Sequence, residues 1–108
     1  MENKIYDLII IGAGPAGMTA SIYASRYGIN HLIIGNIIGG MASEATVIEN
    51  WPGENKISGF ELSKKIQESV RNSGEEIMVD TVNGIEKTGD FYKIKTDLNG
   101  EFSAKNIL

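Results

Sequence analysis

The chain contains no cysteine, which excludes disulfide scaffolds, thiolate-held zinc and thiol catalysis within these 108 residues. Its absence is also what a reducing compartment would favour. Basic clusters are missing as well. Ten Lys and Arg stand against fourteen Asp and Glu, for a net charge of -4, and acids and bases are interspersed from Lys64 to Lys105. A nucleic-acid surface would need clustered cations, so no nucleic-acid partner is expected. Long apolar runs are absent too: the longest, Leu8 to Ile11, is far below the ~20 residues that cross a bilayer. Met1-Glu2-Asn3-Lys4 lacks the pattern of a signal peptide, and Asp7 breaks the apolar stretch after it, so a cytoplasmic protein without a membrane partner is expected. Histidine occurs once. His31 has no Cys, Asp or Ser suitably spaced around it and reads as a surface residue, not a catalytic base or metal ligand.

What is present has an α/β rhythm. Ile5 to Ile11 is a nearly continuous, β-branched run that suits a strand covered on both faces of a parallel sheet. Gly12-Ala13-Gly14-Pro15-Ala16-Gly17 comes directly after it. A helix then runs to about Tyr27, with Gly28 placed to end it and a stripe of Ala13, Gly17, Ala20, Ala24 and Tyr27 facing the first strand. His31 to Ile34 reads as a second strand ended by Gly35. The segment Asn36 to Asn55 shows neither period; its Ile, Val and Trp content points to a binding loop.

The next helix announces its start with the capping box Ser58 and Glu61 and with Ile57 and Leu62 as a hydrophobic staple. Leu62, Ile66 and Val70 share one face, and Gly74 stands at the C-terminal cap. Ile77 to Val79 reads as a third buried strand. After it, Val82 to Thr88, Phe91 to Thr96 and Glu101 to Ala104, joined at Gly89-Asp90 and Asn99-Gly100, make a three-stranded antiparallel meander. Ala104 to Leu108 reads as a further strand just beginning, so the chain looks like part of a longer domain.

G-x-G-x-x-G hexamers occur by chance, but here one lies between a buried strand and a helix, with a second strand about 30 residues from the start. Gly12 makes the tight turn, Gly14 clears the approach of a pyrophosphate, and Gly17 lets helix meet strand. Pro15 fits the first helical turn, where its missing N–H costs nothing. The usual carboxylate at the end of the second strand is missing: the chain reads Ile34-Gly35-Asn36-Ile37, which leaves Asn36 as an uncharged partner for a ribose hydroxyl.

Tyr6 to Gly17 and Ala20-Ser21-Ile22-Tyr23-Ala24-Ser25-Arg26 closely resemble low-molecular-weight thioredoxin reductases, of the pyridine nucleotide-disulfide oxidoreductase family. Gly39-Gly40, Glu49-Asn50-Trp51-Pro52-Gly53 and Ile57-Ser58-Gly59-Phe60-Glu61-Leu62 fall where that family has its GGQ, ENFPG and IxGxEL segments. The resemblance covers nearly the whole chain. It implies an α/β, Rossmann-type FAD-binding domain, a parallel sheet with the meander inserted. It implies that Gly12, Ala13, Gly14, Pro15 and Ala16 hold the pyrophosphate and that Gly35, Asn36 and Val82 lie along the adenosine. Gly40, Met41, Ala42 and Asn50 would border the isoalloxazine and ribityl chain. Met41 stands where the family has glutamine, and Ala42-Ser43-Glu44-Ala45 replaces a threonine-rich run.

In such enzymes a nicotinamide cofactor reduces the flavin, which passes electrons to a CxxC pair. The resemblance places the nicotinamide domain, the CxxC and a returning flavin-site segment outside this chain. No residue here is nominated as catalytic. NADPH, NADH and ferredoxin stay open as donors, thioredoxin or another redox carrier as acceptor, and a homodimer as one assembly. A stand-alone dinucleotide-binding module and a classical NAD domain are the competing readings. Trp51 reads as a loop anchor, Glu44 and Glu49 support no acid–base pair, and Tyr6, Tyr23, Tyr27 and Tyr92 read as half-buried packing residues.

Overall fold

The structure, a computed structural model, describes residues 4–37 and 58–108. The chain order is β1 (Ile5–Ile11), α1 (Pro15–Arg26), β2 (His31–Gly35), α2 (Gly59–Asn72), β3 (Ile77–Val79), β4 (Val82–Thr88), β5 (Phe91–Thr96) and β6 (Glu101–Ile107). The six strands form one sheet in the order β3-β2-β1-β6-β5-β4. The first four are parallel, with Ile10 opposite Ile33, Ile33 opposite Ile77 and Ile9 opposite Ile107. The last two are antiparallel additions to β6.

The predicted meander exists, but it is the continuation of the parallel sheet and not a separate layer. Glu101–Ala104 and the strand expected to begin at Ala104 are one strand. Its first residues pair with β5, and from Ser103 onward its other edge pairs with β1. The sequence signal at Asn99-Gly100 locates the turn, where Gly100 has φ 83. It carries no information about the second edge of the strand.

Only Asp80 and Thr81 join β3 to β4, the two outermost strands. Three Cα steps span at most about 11 Å, whereas six flat strands would hold their outer members about 24 Å apart. The sheet therefore curls. Its inner face encloses a core of Ile9, Leu32, Ile34, Ile94 and Ala104, closed by Met78 from one edge strand and Val82 from the other. Its outer face carries Ile10 and Ile33 against Met18 of α1 and Leu62, Ile66 and Val70 of α2. Neighbouring residues of β1 thus enter different cores, which is why its apolar run has no polar alternation.

The helices follow from their ends. Ser58 Oγ accepts the Glu61 N–H at 3.1 Å, as the capping box requires, while Ile57 lies outside the described residues. Gly28 and Gly74 close α1 and α2 with φ 70 and 97. On α1 the buried face is Met18, Ser21 and Ala24. The expected small-residue stripe holds at Gly17 and Ala24 but fails at Tyr27, which is 77% exposed, as is Tyr23 at 51%. Tyr6 and Tyr92 pack beside the inner core as expected. Ile77–Val79 is an edge strand, half-buried and not buried.

His31 overturns its reading as a surface residue. It is buried where α1, β2 and the turn after α2 meet. Nδ1 lies 2.9 Å from the Ile29 carbonyl, which can only accept, so Nδ1 carries the proton. In the neutral ring Nε2 then accepts from the Ser21 hydroxyl at 2.8 Å. A Glu75 carboxylate oxygen stands 3.8 Å from the same nitrogen. The histidine is a core polar group with its partners supplied.

Candidate functional site

Ile11 ends β1 and Pro15 begins α1, so the connecting turn is Gly12, Ala13 and Gly14 alone. Gly12 has φ 116, a conformation side chains resist, and its N–H donates to the Ile34 carbonyl at 2.7 Å. The turn is pressed on both sides. A Cβ on Gly17 would overlap the Gly12 carbonyl oxygen, and one on Gly35 would fall 2.5 Å from Ala13 Cβ.

Gly14 is different. Its φ of -78 and ψ of -179 are ordinary extended backbone, so the chain path does not call for glycine there. Gly14 lies instead on the wall of a cavity of about 410 Å³ lined by Ile10, Ile11, Gly12, Gly14, Ala16, Gly17 and Leu108. The N-terminus of α1 has no side-chain cap and no acid in its first turn, unlike α2 with Ser58 and Glu61. Pro15 has no N–H to offer. The N–H groups of Ala16 and Gly17 are thus left without intrahelical acceptors at the positive end of the dipole, a setting that attracts anions.

A second cavity, of about 180 Å³, is lined by Ile11, Gly12, Ile34, Gly35, Asn36, Asp80, Thr81 and Val82. The two share Ile11 and Gly12. Their walls lie at the C-terminal ends of β1, β2 and β3, where open parallel sheets receive ligands. The structure therefore places Gly12, Gly14 and Ala16 on the wall of the first cavity and Gly12, Gly35, Asn36 and Val82 on the wall of the second. Ala13 is buried beneath it against Gly35, and Pro15 opens the helix. Gly40, Met41, Ala42 and Asn50 lie outside the described residues, as do Trp51, Glu44 and Glu49.

Sequence reasoning passed over Asp80 and Thr81, which complete the wall beside Asn36. Asp80 is only 3% exposed. Burial would raise its pKa, but the Asn99 amide, the backbone N–H groups of Thr81 and Leu98 and the Thr96 hydroxyl outweigh it and hold the carboxyl at about 2. A folded pKa below the unfolded value of about 3.9 stabilises the fold above pH 4. That contribution disappears as pH falls through the folded value of about 2. Thermal melts should thus decline between pH 4 and 2 in the native chain and fall less steeply over that window in Asp80→Asn, which starts lower at pH 7. Parallel pH profiles for the two would show that another carboxylate dominates.

A three-residue glycine turn under a bare helix start, with two neighbouring cavities at the strand ends, marks an α/β domain. The chain belongs to the pyridine nucleotide-disulphide oxidoreductase family, whose model matches residues 6–108. It is 46% identical over 87 residues to a 34.2 kDa protein in the rubredoxin operon of Clostridium pasteurianum, covering 80% of this chain and 28% of that protein. It is 40% identical over 108 residues to a thioredoxin reductase of Bacillus subtilis, covering 99% of this chain and 34% of that one. Among solved structures, the thioredoxin reductase of Lactococcus lactis superposes with a TM-score of 0.88 at 43% identity, covering 94% of this chain and 34% of that one. The chain spans about a third of the length of the curated relatives it matches.

Proposed function

We propose that this chain is the FAD-binding part of a thioredoxin-reductase-like flavin oxidoreductase. The observation that carries the reading is the pair of cavities meeting at Gly12 above the uncapped start of α1. One long ligand with an anionic middle fits them. Family membership and the thioredoxin reductases among the relatives favour FAD as that ligand.

In this reading the turn from Gly12 to Ala16 holds the pyrophosphate through backbone N–H groups and the helix dipole. Gly35, Asn36 and Val82 border the adenosine. Gly40, Met41, Ala42 and Asn50 border the flavin ring and ribityl chain. Bound flavin supplies two-electron transfer between a reduced donor and a disulfide, while these residues place it and tune its surroundings. The electron donor of the whole enzyme is NADPH, or NADH or ferredoxin, and the acceptor is thioredoxin or a similar carrier. Its dithiol, its nicotinamide site and a homodimeric assembly belong to the longer enzyme, which is cytoplasmic. No helix among the described residues is long and apolar enough to cross a membrane.

The test is an absorption spectrum of the protein equilibrated with FAD and separated from free ligand, followed by anaerobic reduction. Flavin bands that remain with the protein are the expected result. Bleaching by NADPH, NADH or reduced ferredoxin, each tried in turn on the enzyme that contains this chain, then assigns the donor. Protein that emerges without visible absorbance after saturation with FAD would falsify the flavin reading.

A further inference from the structure

Asp80 makes more of its carboxylate than a turn needs. Oδ1 accepts the N–H groups of Thr81 at 2.7 Å and Leu98 at 3.1 Å. Oδ2 accepts the backbone N–H of Asn99 at 3.0 Å and its side-chain amide at 2.7 Å. The Asp80 backbone N–H in turn donates to the Gly35 carbonyl at 3.0 Å, and the Asp97 N–H donates to the Thr81 carbonyl at 3.0 Å. The buried side chain therefore joins the two-residue link between the outer strands to the β5–β6 turn, while the backbone of the same residue ties that link to the end of β2. The residues it holds are also part of a cavity wall: Thr81 and Val82 line the 180 Å³ cavity together with Gly35 and Asn36.

We propose that Asp80 is a positioning residue for the adenosine end of the nucleotide site, setting how far the Thr81–Val82 wall stands from Gly35 and Asn36. The proposal rests on the FAD-binding reading above. The geometry favours a role in the site over a plain fold clamp. Thr81 itself is exposed, and the side-chain tie between its link and the β5–β6 turn is this carboxylate. Asn36, the neighbouring polar group, is uncharged, so affinity there depends on a close fit more than on a ribose–carboxylate bond. Asparagine at position 80 would keep the size but turn an N–H₂ toward backbone N–H donors, setting donor against donor and opening the wall. The pyrophosphate turn at Gly12 to Ala16 is built from other contacts and should not respond.

The experiment measures the dissociation constants of ADP and of inorganic pyrophosphate for the protein freed of FAD, in the native form, Asp80→Asn and Asn99→Ala. Amide hydrogen exchange at Leu98 and Asn99 is followed in parallel. The expected result is ADP binding weakened roughly tenfold in Asp80→Asn and a few-fold in Asn99→Ala, with faster exchange and unchanged pyrophosphate binding. Faster exchange with unchanged ADP affinity would overturn the proposal, leaving Asp80 a clamp of the fold only. Equal losses for ADP and pyrophosphate would overturn it too, as general loosening. If Asp80→Asn does not fold, Asn99→Ala, which keeps three of the four bonds, decides by the same criteria. Native protein that binds neither ADP nor FAD would instead remove the FAD-binding reading, and the proposal with it.

Discussion

Gly14→Val abolishes FAD binding while the fold remains. Valine is comfortable at the φ of -78 and ψ of -179 that Gly14 adopts, so the backbone has no reason to move. At the helix N-cap valine is less favourable than glycine by about 1 kcal/mol, which lowers stability without removing the fold. Gly14 instead lines the cavity of about 410 Å³, and in the FAD-binding reading its backbone must come into direct contact with the pyrophosphate, so that an added isopropyl group competes for that space. A ligand excluded from that contact loses the N–H groups of Ala16 and Gly17 together. A loss of about 100-fold in affinity or more is expected, equivalent to about 2.7 kcal/mol. FAD titration by flavin fluorescence and far-UV circular dichroism on the same samples check it. Native affinity in a folded Gly14→Val protein would mean that the phosphate lies elsewhere.

Gly17→Ala destabilises the chain, although helix propensity alone predicts the reverse. Within a helix, alanine is favoured over glycine by about 1 kcal/mol. Here the added Cβ overlaps the Gly12 carbonyl oxygen and comes within 3.1 Å of the carbonyl carbon and 3.4 Å of Ile10 Cγ2. The nearest obstacle is backbone, held by the Gly12 hydrogen bond to Ile34, and no flexible side chain can swing aside. Helix and turn must separate, which costs about 2–3 kcal/mol beyond the propensity gain. For a chain of this size that is a drop in Tm of roughly 10–20 °C. Differential scanning calorimetry at pH 7 measures it, and a raised Tm would show that α1 does not press on the turn.

Local chemistry was readable from the sequence, and contacts between distant segments were not. Ser58, Gly28, Gly74 and Gly100 each announce an element boundary because the reason for the residue lies within a few positions of it. The glycine turn is legible for the same reason; Gly12 and Gly14 line one cavity, and Gly12, Gly35, Asn36 and Val82 line its neighbour. The burial of His31 is not legible because its polar neighbours, Ser21 and Glu75, come from α1 and from the turn after α2. Asp80 was missed because its acceptor role depends on Leu98 and Asn99, 18 and 19 residues further on. Residue type marks Asp80 as polar. Only the curling of the sheet puts it in the interior.

The pairing of β1 with β6 sets an order of events in the making of this protein. Ile5 lies opposite Ser103, so β1 acquires its second neighbour only after residue 103 has emerged. Closing a loop of that length is entropically costly and slow compared with forming α1 or the β4–β5 hairpin. Until then one edge of β1 is an open row of N–H and C=O groups flanked by Leu8 to Ile11, the most apolar run in the chain. Residues 5–11 are accordingly the segment through which newly made chains would stick to one another, and a chaperone that covers short aliphatic strands would raise the yield most by acting there.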